Sequence, residues 1–281
     1  MKKIKILLLV LALAALCINV FAQEKNPAFR VSISGSGRHA VLFIPGFACS
    51  GDVWKETQAA LKGDYIFYTL TMAGFAGVPP QSSPAFKEWE DAIANYIRQH
   101  KINKPIIVGH SMGGGLALAI AADYPDLVSK IVVVDALPCL AAMRNPAFKT
   151  KENNDCSSII KQFTAIPDEQ FYQMQLMTMS QLVADTSKVK QIAQWSALSD
   201  RKTFAGMYCD FSNTDLRQNI NNIKCPALIL LESNFANLKP AIADQYKNLK
   251  TAQLQYATKG LHFIMYDDFD WYKNQIADFI K

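Results

Sequence analysis

The residues with the clearest chemical potential form the pentapeptide 109–113, Gly-His-Ser-Met-Gly, with Ser111 at its centre. An apolar run, 105–108, precedes it and an Ala- and Leu-rich stretch, 114–122, follows it, so the pattern predicts strand, tight turn and helix. In that context a Gly-x-Ser-x-Gly serine lies on a strained turn, where a side chain at either flanking glycine would clash, and its hydroxyl is exposed for attack. The N–H groups that begin the helix point to the same place. A plain glycine-rich connection is the alternative, because Gly and Ser are common turn residues.

A serine hydroxyl is a poor nucleophile at neutral pH and needs a base within hydrogen-bond reach. The chain has four histidines. His39 precedes the first predicted strand, and His100 ends a helix at a polar surface. The side chain of His110 is expected to diverge from that of Ser111. His262 lies in a loop after the last predicted strand, which the order of the sheet returns to the serine, so His262 is the candidate base. An ordinary surface residue is the alternative for such a loop histidine.

The oxyanion that forms during acyl transfer needs hydrogen-bond donors. One predicted donor is the backbone N–H of Met112, the residue after the nucleophile. The second is the backbone N–H of Phe47, in the loop 45–49 that follows the first predicted core strand, where Gly46 lets the backbone turn inward. A surface turn is the alternative for this loop. Loss of one such donor costs about 10²–10³ in rate in other enzymes, so the loop matters as much as a catalytic side chain.

These residues resemble those of the α/β-hydrolase-fold enzymes, a broad superfamily of capped, lipase- and esterase-like proteins. The resemblance covers residue 41 to the C-terminus, and the segments that carry it are 45–47, 109–113, 215–217, 225–228 and 262–264. It implies a mostly parallel sheet flanked by helices, and serine chemistry that needs neither a metal nor an organic cofactor. It says little about the substrate, because this fold supports many reactions.

The acid that completes such a triad is the point at which the chain departs from the family pattern. The acid usually lies a few residues past the penultimate strand, but the segment 231–237 contains no Asp. Asp135 stands at the end of an earlier strand, where haloalkane dehalogenases and some lipases place their acid. Glu232 is the rival, and a purely structural role is the alternative for Asp135. We expect Asp135 to accept the N–H of His262 and to hold the tautomer whose other nitrogen faces the serine.

Apolar strand-like runs alternate with amphipathic helical segments, which predicts an α/β protein with a mainly parallel sheet and right-handed crossovers. The predicted strands are 41–44, 65–70, 105–108, 131–134, 227–231 and 254–256. A helix is predicted over 52–61 with Asp52 as its cap. Another is predicted to begin at Pro84.

The predicted strands are interrupted by a long segment, 137–213, that is rich in Met, Gln and Ala. We interpret it as a helical cap inserted between two parts of the α/β-hydrolase core, 23–136 and 214–281. Its Met-rich stretch 167–183 favours ordinary core packing, and an adaptable apolar lining above Ser111 is the alternative.

The first 22 of the 281 residues combine three lysines with an apolar run, 6–18, and small residues before Gln23. This pattern predicts a cleaved secretory signal peptide, and hence a secreted or periplasmic protein with no membrane attachment after cleavage. A retained anchor is the alternative, but the run is shorter than the ~20 residues of a membrane span. Without this segment the net charge falls from +5 to +2, and no clustered basic patch indicates a nucleic-acid surface.

Five cysteines follow the predicted signal peptide: Cys49, Cys139, Cys156, Cys209 and Cys225. Their odd number requires at least one free or intermolecular thiol, and their spacings match no metal motif.

Together these features predict a secreted serine hydrolase that cleaves a carboxylic ester or a related acyl bond of a small-molecule substrate. Two alternatives stay open: thioester or amide hydrolysis on the same scaffold, and a non-catalytic binding protein that has kept the fold. An apolar cap predicts aliphatic or aromatic acyl groups in preference to charged ones. The oligomeric state is left open.

Overall fold

The computed structural model describes residues 27–281, and the predicted signal peptide, residues 1–22, lies outside the described residues. The strands of the described residues are β1 (Phe29–Gly35), β2 (His39–Ile44), β3 (Tyr65–Met72), β4 (Ile106–His110), β5 (Lys130–Val134), β6 (Ala227–Leu231) and β7 (Ala252–Tyr256). They form one sheet in the order β1-β3-β2-β4-β5-β6-β7. β1 is antiparallel to β3, and every other neighbouring pair is parallel.

Helices connect these strands. The α-helices of the described residues are α1 (Lys55–Ala60), α2 (Phe86–Gln99), α3 (Met112–Asp123), α4 (Ser157–Thr164), α5 (Asp168–Leu182), α6 (Thr186–Ala197), α7 (Arg201–Ser212), α8 (Lys239–Tyr246), α9 (Ile264–Asp267) and α10 (Phe269–Ile280). Short 3-10 helices cover Gly51–Trp54, Leu140–Met143, Asn219–Asn222 and Ser233–Leu238.

The sheet carries a hydrophobic core on each of its faces, because successive residues of a strand point to opposite sides. In β2, Leu42 and Ile44 belong to the core that includes α2 and α3. Val41 and Phe43 belong to the core that includes Tyr272 of α10. A parallel strand covered on both faces is apolar throughout, as β6 is, with five buried residues in succession.

Helices α4 to α7 lie between β5 and β6 in the chain, and we call them the cap. The cap packs into both cores: Phe171 and Phe204 join one, and Met179 and Ile192 join the other. The predicted fold class, a mostly parallel α/β sheet with an inserted helical segment, is therefore confirmed. The exact limits of the three segments 23–136, 137–213 and 214–281 stay a prediction.

The sequence pattern missed or misplaced several local features. β1 was not predicted, because most of its residues are exposed at the edge of the sheet and it lacks a continuous apolar run. The helix predicted over 52–61 divides into a 3-10 turn and α1, and its cap is Ser50 instead of Asp52: the Ser50 side chain accepts a hydrogen bond of 3.1 Å from the Asp52 N–H. α2 begins two residues after Pro84.

One disulfide, Cys156–Cys209, joins the start of α4 to α7 within the cap. Cys49, Cys139 and Cys225 are free and buried. Burial raises the pKa of the Cys49 thiol to about 12, which keeps it protonated near neutral pH. In the part of the chain from residue 27 onward, none of the helices combines the length and the apolar character of a membrane span.

We expect loss of the disulfide to destabilise the protein, because the bond closes a loop between residues 53 positions apart. A disulfide of this kind typically contributes about 2–4 kcal/mol. For a chain of this size that corresponds to a fall in Tm of about 5–15 °C in a Cys156→Ser/Cys209→Ser variant, measured by thermal unfolding. A reductant should lower the Tm of the wild type to the same value and leave that of the double variant unchanged. The assigned pairing is contradicted if the double variant has the Tm of the wild type and the reductant leaves the Tm of the wild type unchanged.

Candidate active site

Ser111 lies at the sharp turn between β4 and α3, with a strained backbone of φ 53° and ψ −120°. Its N–H donates to the carbonyl of Val134 at 2.9 Å, which anchors the turn to the neighbouring strand. The turn is too tight for side chains beside the serine. A Cβ on Gly109 would lie 2.1 Å from the carbonyl oxygen of Gly113, and a Cβ on Gly113 would lie 2.4 Å from that of Ile44. This is the predicted elbow geometry, and it presents the serine at the carboxyl edge of the sheet.

Asp135 lies beside Ser111 because both follow the ends of adjacent parallel strands. His110 is paired with Val134 in the register of β4 and β5, so the next residues of the two strands are neighbours. Asp135 also has a positive φ of 48°, and its N–H donates to the Leu230 carbonyl at 2.7 Å. The residue is buried, with 4% of its surface exposed. The fold thus brings a buried carboxylate to the same edge as the serine.

His262 reaches this edge from the loop that follows β7. Its Nδ1 lies 2.6 Å from Oδ2 of Asp135. Because the ionised carboxylate only accepts hydrogen bonds, Nδ1 carries the proton and donates it, and the neutral ring keeps Nε2 as an acceptor. The other carboxylate oxygen, Oδ1, accepts the backbone N–H of Glu232 at 2.7 Å. The carboxylate is held on both sides, which orients the imidazole.

Glu232, the rival acid, lines the same cavity but contributes its backbone N–H to Asp135. Burial raises the pKa of the Glu232 carboxyl to about 7, and the nearby Asp135 carboxylate adds to the rise. In the described residues the Glu232 side chain has no hydrogen bond to His262. Of the two acids, Asp135 is therefore the one that contacts the imidazole.

His110 holds His262 through the backbone, a contact that its position in the pentapeptide did not reveal. The His110 ring is fully buried, and its Nε2 lies 2.9 Å from the His262 carbonyl oxygen. Burial holds the pKa of His110 well below its usual range, so the ring is neutral and donates from Nε2 to the carbonyl. The ring also lies against the loop 45–49: a Cβ on Gly46 would be 2.6 Å from Nδ1.

The two predicted oxyanion donors lie on this edge as well. Phe47 lines the cavity in the loop after β2, and Met112 is the first residue of α3. Among residues 27–281, no acceptor is found for the backbone N–H of either residue. The helix dipole of α3 adds positive potential at its N-terminus. Both groups are thus free to bind an anionic oxygen.

A cavity of about 520 Å³ lies between the carboxyl edge of the sheet and the cap. Ser111, Asp135, His262 and Phe47 all line it. Its walls are mostly apolar, and the cap contributes Phe163, Met174, Met179, Leu182, Phe204, Tyr208 and Phe211. The Met-rich stretch predicted in the cap therefore serves both as core and as lining, since Phe171 is buried while Met174 and Met179 reach the cavity.

Two consecutive carboxylates, which the sequence analysis did not single out, hold the loop that carries His262. Asp268 accepts the backbone N–H groups of Thr258 and Lys259 at 3.0 and 3.2 Å. Asp267 accepts the N–H of Leu261, next to His262, at 2.8 Å.

Asp267 also binds the cap. It accepts the N–H groups of Ala184 and Asp185, at 3.0 and 2.9 Å, in the turn between α5 and α6. The Phe263 N–H donates to the Leu182 carbonyl at 3.3 Å in the same region. One carboxylate therefore joins the cap to the histidine loop.

The profile of the alpha/beta hydrolase fold family matches residues 39–268, most of the chain. The chain belongs to the α/β-hydrolase-fold family. The prediction of a hydrolase of this fold is thereby confirmed at the level of the family. Among solved structures, the enol-lactonase of Burkholderia xenovorans superposes on this α/β-hydrolase with a TM-score of 0.72, at 15% identity over 90% of this chain and 96% of that one. A hydrolase of Oleispira antarctica gives 0.74 at 16% identity, over 90% and 95%.

Curated relatives of this α/β-hydrolase include a pimeloyl-[acyl-carrier protein] methyl ester esterase of Vibrio atlanticus. It is 28% identical over 204 residues, which cover 70% of this chain and 76% of the relative. A putative carbamate hydrolase of Yersinia enterocolitica is 24% identical over 195 residues, 68% of each chain.

We expect Asp267→Ala to loosen the cap turn and the histidine loop together, because it removes both of the oxygens that accept N–H groups from the two segments. A hydrogen bond to a charged group contributes about 1.5–3 kcal/mol. Hydrogen exchange at the Ala184, Asp185 and Leu261 amides should therefore accelerate by about tenfold or more.

The matched control is Asp268→Ala, which removes the oxygen that accepts from Thr258 and Lys259 and should accelerate exchange at these two amides, while the amides of the cap turn keep their protection. Protected cap amides in Asp267→Ala would show that this carboxylate does not join the two segments.

Proposed function

We propose that this chain hydrolyses carboxylic esters, or closely related acyl compounds, through an acyl-enzyme intermediate on Ser111. The observation that carries the proposal is the 2.6 Å hydrogen bond between His262 Nδ1 and Asp135 Oδ2, in a cavity that Ser111 also lines. A carboxylate-bound imidazole in the cavity of an elbow serine is the arrangement that activates a hydroxyl for attack on a carbonyl.

In the acylation step, Nε2 of His262 accepts the proton of the Ser111 hydroxyl while Oγ bonds to the carbonyl carbon. The carbonyl electron pair moves to the oxygen, and the N–H groups of Phe47 and Met112 donate to this oxyanion. The tetrahedral intermediate collapses when the bond to the alcohol oxygen breaks. His262 then gives its proton to the departing alcohol.

In the deacylation step, His262 accepts a proton from water as the water oxygen bonds to the acyl carbon. Collapse of the second tetrahedral intermediate breaks the bond to Ser111 Oγ, which takes the proton back from His262, and the carboxylic acid leaves. Asp135 stays ionised throughout and stabilises the imidazolium that forms in each step.

The cavity supports a small-molecule ester with an apolar acyl group as the substrate, and the relatives support ester chemistry. None of the residues that line the cavity, all of them in the described part of the chain, is Lys or Arg. A negatively charged acyl group would therefore be buried without a positively charged partner, which is costly. The relative of Vibrio atlanticus is named as a methyl ester esterase, which supports ester chemistry.

Carbamate or amide hydrolysis is the second candidate, because one relative is named as a putative carbamate hydrolase. The same serine, imidazole and oxyanion donors act on a C–N bond, with His262 protonating the departing nitrogen. A matched ester, carbamate and amide with one acyl group distinguish the candidates by their kcat/KM values.

The proposal includes export to an oxidising compartment. The basic and apolar start of the sequence supports it, and so does the Cys156–Cys209 disulfide, because disulfides persist in secreted and periplasmic proteins and are rare in the cytosol.

A fluorophosphonate is expected to label the wild-type chain at Ser111, because the activated hydroxyl attacks phosphorus as it attacks a carbonyl. Ser111→Ala should remain unlabelled and should lose hydrolysis of short p-nitrophenyl esters by about 10⁴-fold or more. Ser32→Ala, a change of an exposed serine on β1, is the matched control and should label normally. Mass spectrometry of the labelled peptide identifies the site. Equal labelling of Ser111→Ala, or none of the wild type, would end the proposal.

The two acids are separated by comparing Asp135→Asn with Glu232→Gln. The amide that Asp135→Asn introduces would impose the wrong imidazole tautomer, so kcat should fall by about 10⁴-fold, as for a lost triad carboxylate elsewhere. Glu232→Gln removes a carboxyl but leaves the hydrogen bond between Asp135 and His262 in place. Its loss of kcat should therefore be smaller by at least about 100-fold. The measurement is steady-state ester hydrolysis with the fold checked by circular dichroism. The reverse order of losses would assign Glu232 as the acid.

A further inference from the structure

Within its apolar lining, the cavity has polar groups that the proposed chemistry does not use. The cap contributes Gln175 and Thr178 from α5 and Ser196 from α6, two consecutive helices that pack against each other. All three line the cavity with the catalytic groups.

Ser196 is 1% exposed, and its hydroxyl has no hydrogen-bonding partner within residues 27–281. A helical serine commonly donates to the carbonyl four residues earlier, so this lack of a partner is unusual. A buried hydroxyl without a partner destabilises the folded protein, because it has lost its hydrogen bonds to water and gained none. Such a group at the wall of a cavity is a position at which a ligand can supply the missing hydrogen bond.

Gln175 is 5% exposed, and in the described part of the chain no hydrogen bond involves its side chain. Its amide carries two donors and an acceptor. Thr178 differs, because its hydroxyl donates to the carbonyl of Met174 at 2.9 Å in its own helix. Within the described residues, the buried polar side chains of the cap wall that lack a hydrogen-bonding partner are therefore Gln175 and Ser196.

The charges around the cavity determine what these groups accept. Gln175 and Ser196 are neutral, and the lining has no Lys or Arg to balance an anion. A carboxylate or phosphate bound there would be a buried charge without a Lys or Arg partner, which is costly. A neutral hydroxyl group donates and accepts, and a neutral keto oxygen accepts. Either can bond to the Gln175 amide and the Ser196 hydroxyl without that cost.

We infer that Gln175 and Ser196 form a polar subsite in the cap, which binds a neutral hydroxyl or keto oxygen on the part of the substrate remote from the reacting carbonyl. The substrate class is then an oxygenated aliphatic ester. Its apolar chain packs on the Met and Phe side chains, and its one neutral oxygen group forms hydrogen bonds with the cap. This inference rests on the proposed function and names its substrate class.

The test uses binding, so that it does not require turnover. In a Ser111→Ala background, the ligands are methyl octanoate and its analogues with one hydroxyl group at a chain position from C3 to C8 or one keto group at a position from C3 to C7. At one or two positions the oxygenated ester should bind about tenfold tighter than methyl octanoate, as two new buried hydrogen bonds predict. Isothermal titration calorimetry measures the ratio of the two Kd values.

Gln175→Met and Ser196→Ala, added to that background, should each reduce the preference to about threefold or less, and the pair should abolish it. Thr178→Val is the matched control: it removes a hydroxyl that also lines the cavity but is already bonded, so the ratio should keep its tenfold value. Ser196→Ala should be at least as stable as its parent in thermal unfolding, because it removes an unsatisfied buried hydroxyl.

The subsite is overturned if no oxygenated ester binds more tightly than methyl octanoate, if none binds at all, or if the preference persists in the double variant. Hydrolysis of the same esters by the wild-type chain is measured separately. A binding preference without hydrolysis would leave the subsite and remove the proposed reaction. Hydrolysis without a binding preference would support the proposed reaction and remove the subsite.

Discussion

The backbone of Ser111 is the constraint on which the site depends. A non-glycine residue at positive φ costs about 1–3 kcal/mol, so the surrounding structure must hold it there. The hydrogen bond from Ser111 to Val134 holds one side of the turn, and the buried helix α3 holds the other. The helix packs so closely on β2 that Gly113 lies against the carbonyl of Ile44. The core of the sheet therefore maintains the strain of the nucleophile.

Asp135 is held at the same edge of the sheet in a similar way. It also follows its strand with a positive φ, and its N–H donates to the carbonyl of Leu230 in the next strand. Parallel strands in register place the two residues side by side, so little of their separation depends on flexible loops. His262 is different, because it comes from a loop. Its position relies on bonds to other segments: the Asp135 carboxylate, the His110 ring and the carboxylates of Asp267 and Asp268.

The parts of the molecule that the sequence predicted are those with local signals. The elbow, the apolar parallel strands and the inserted helical segment each have a pattern that is visible within a short stretch of sequence. β1 escaped prediction because an exposed edge strand needs no apolar run. Other features depend on contacts between segments 53 to 127 residues apart. They are the choice between Asp135 and Glu232, the pairing of Cys156 with Cys209, and the role of Asp267, which binds a turn that no local motif marks.

The bond pattern of Asp267 has a thermodynamic consequence. A single carboxylate is shared between the turn at Ala184 and the backbone beside His262, so order in one segment favours order in the other. Such coupling is reciprocal. The free energy by which an occupied, ordered cap stabilises the imidazole equals the free energy by which an ordered imidazole increases the affinity for the ligand. Ligand binding in the cap and ordering of the histidine loop are therefore expected to favour each other.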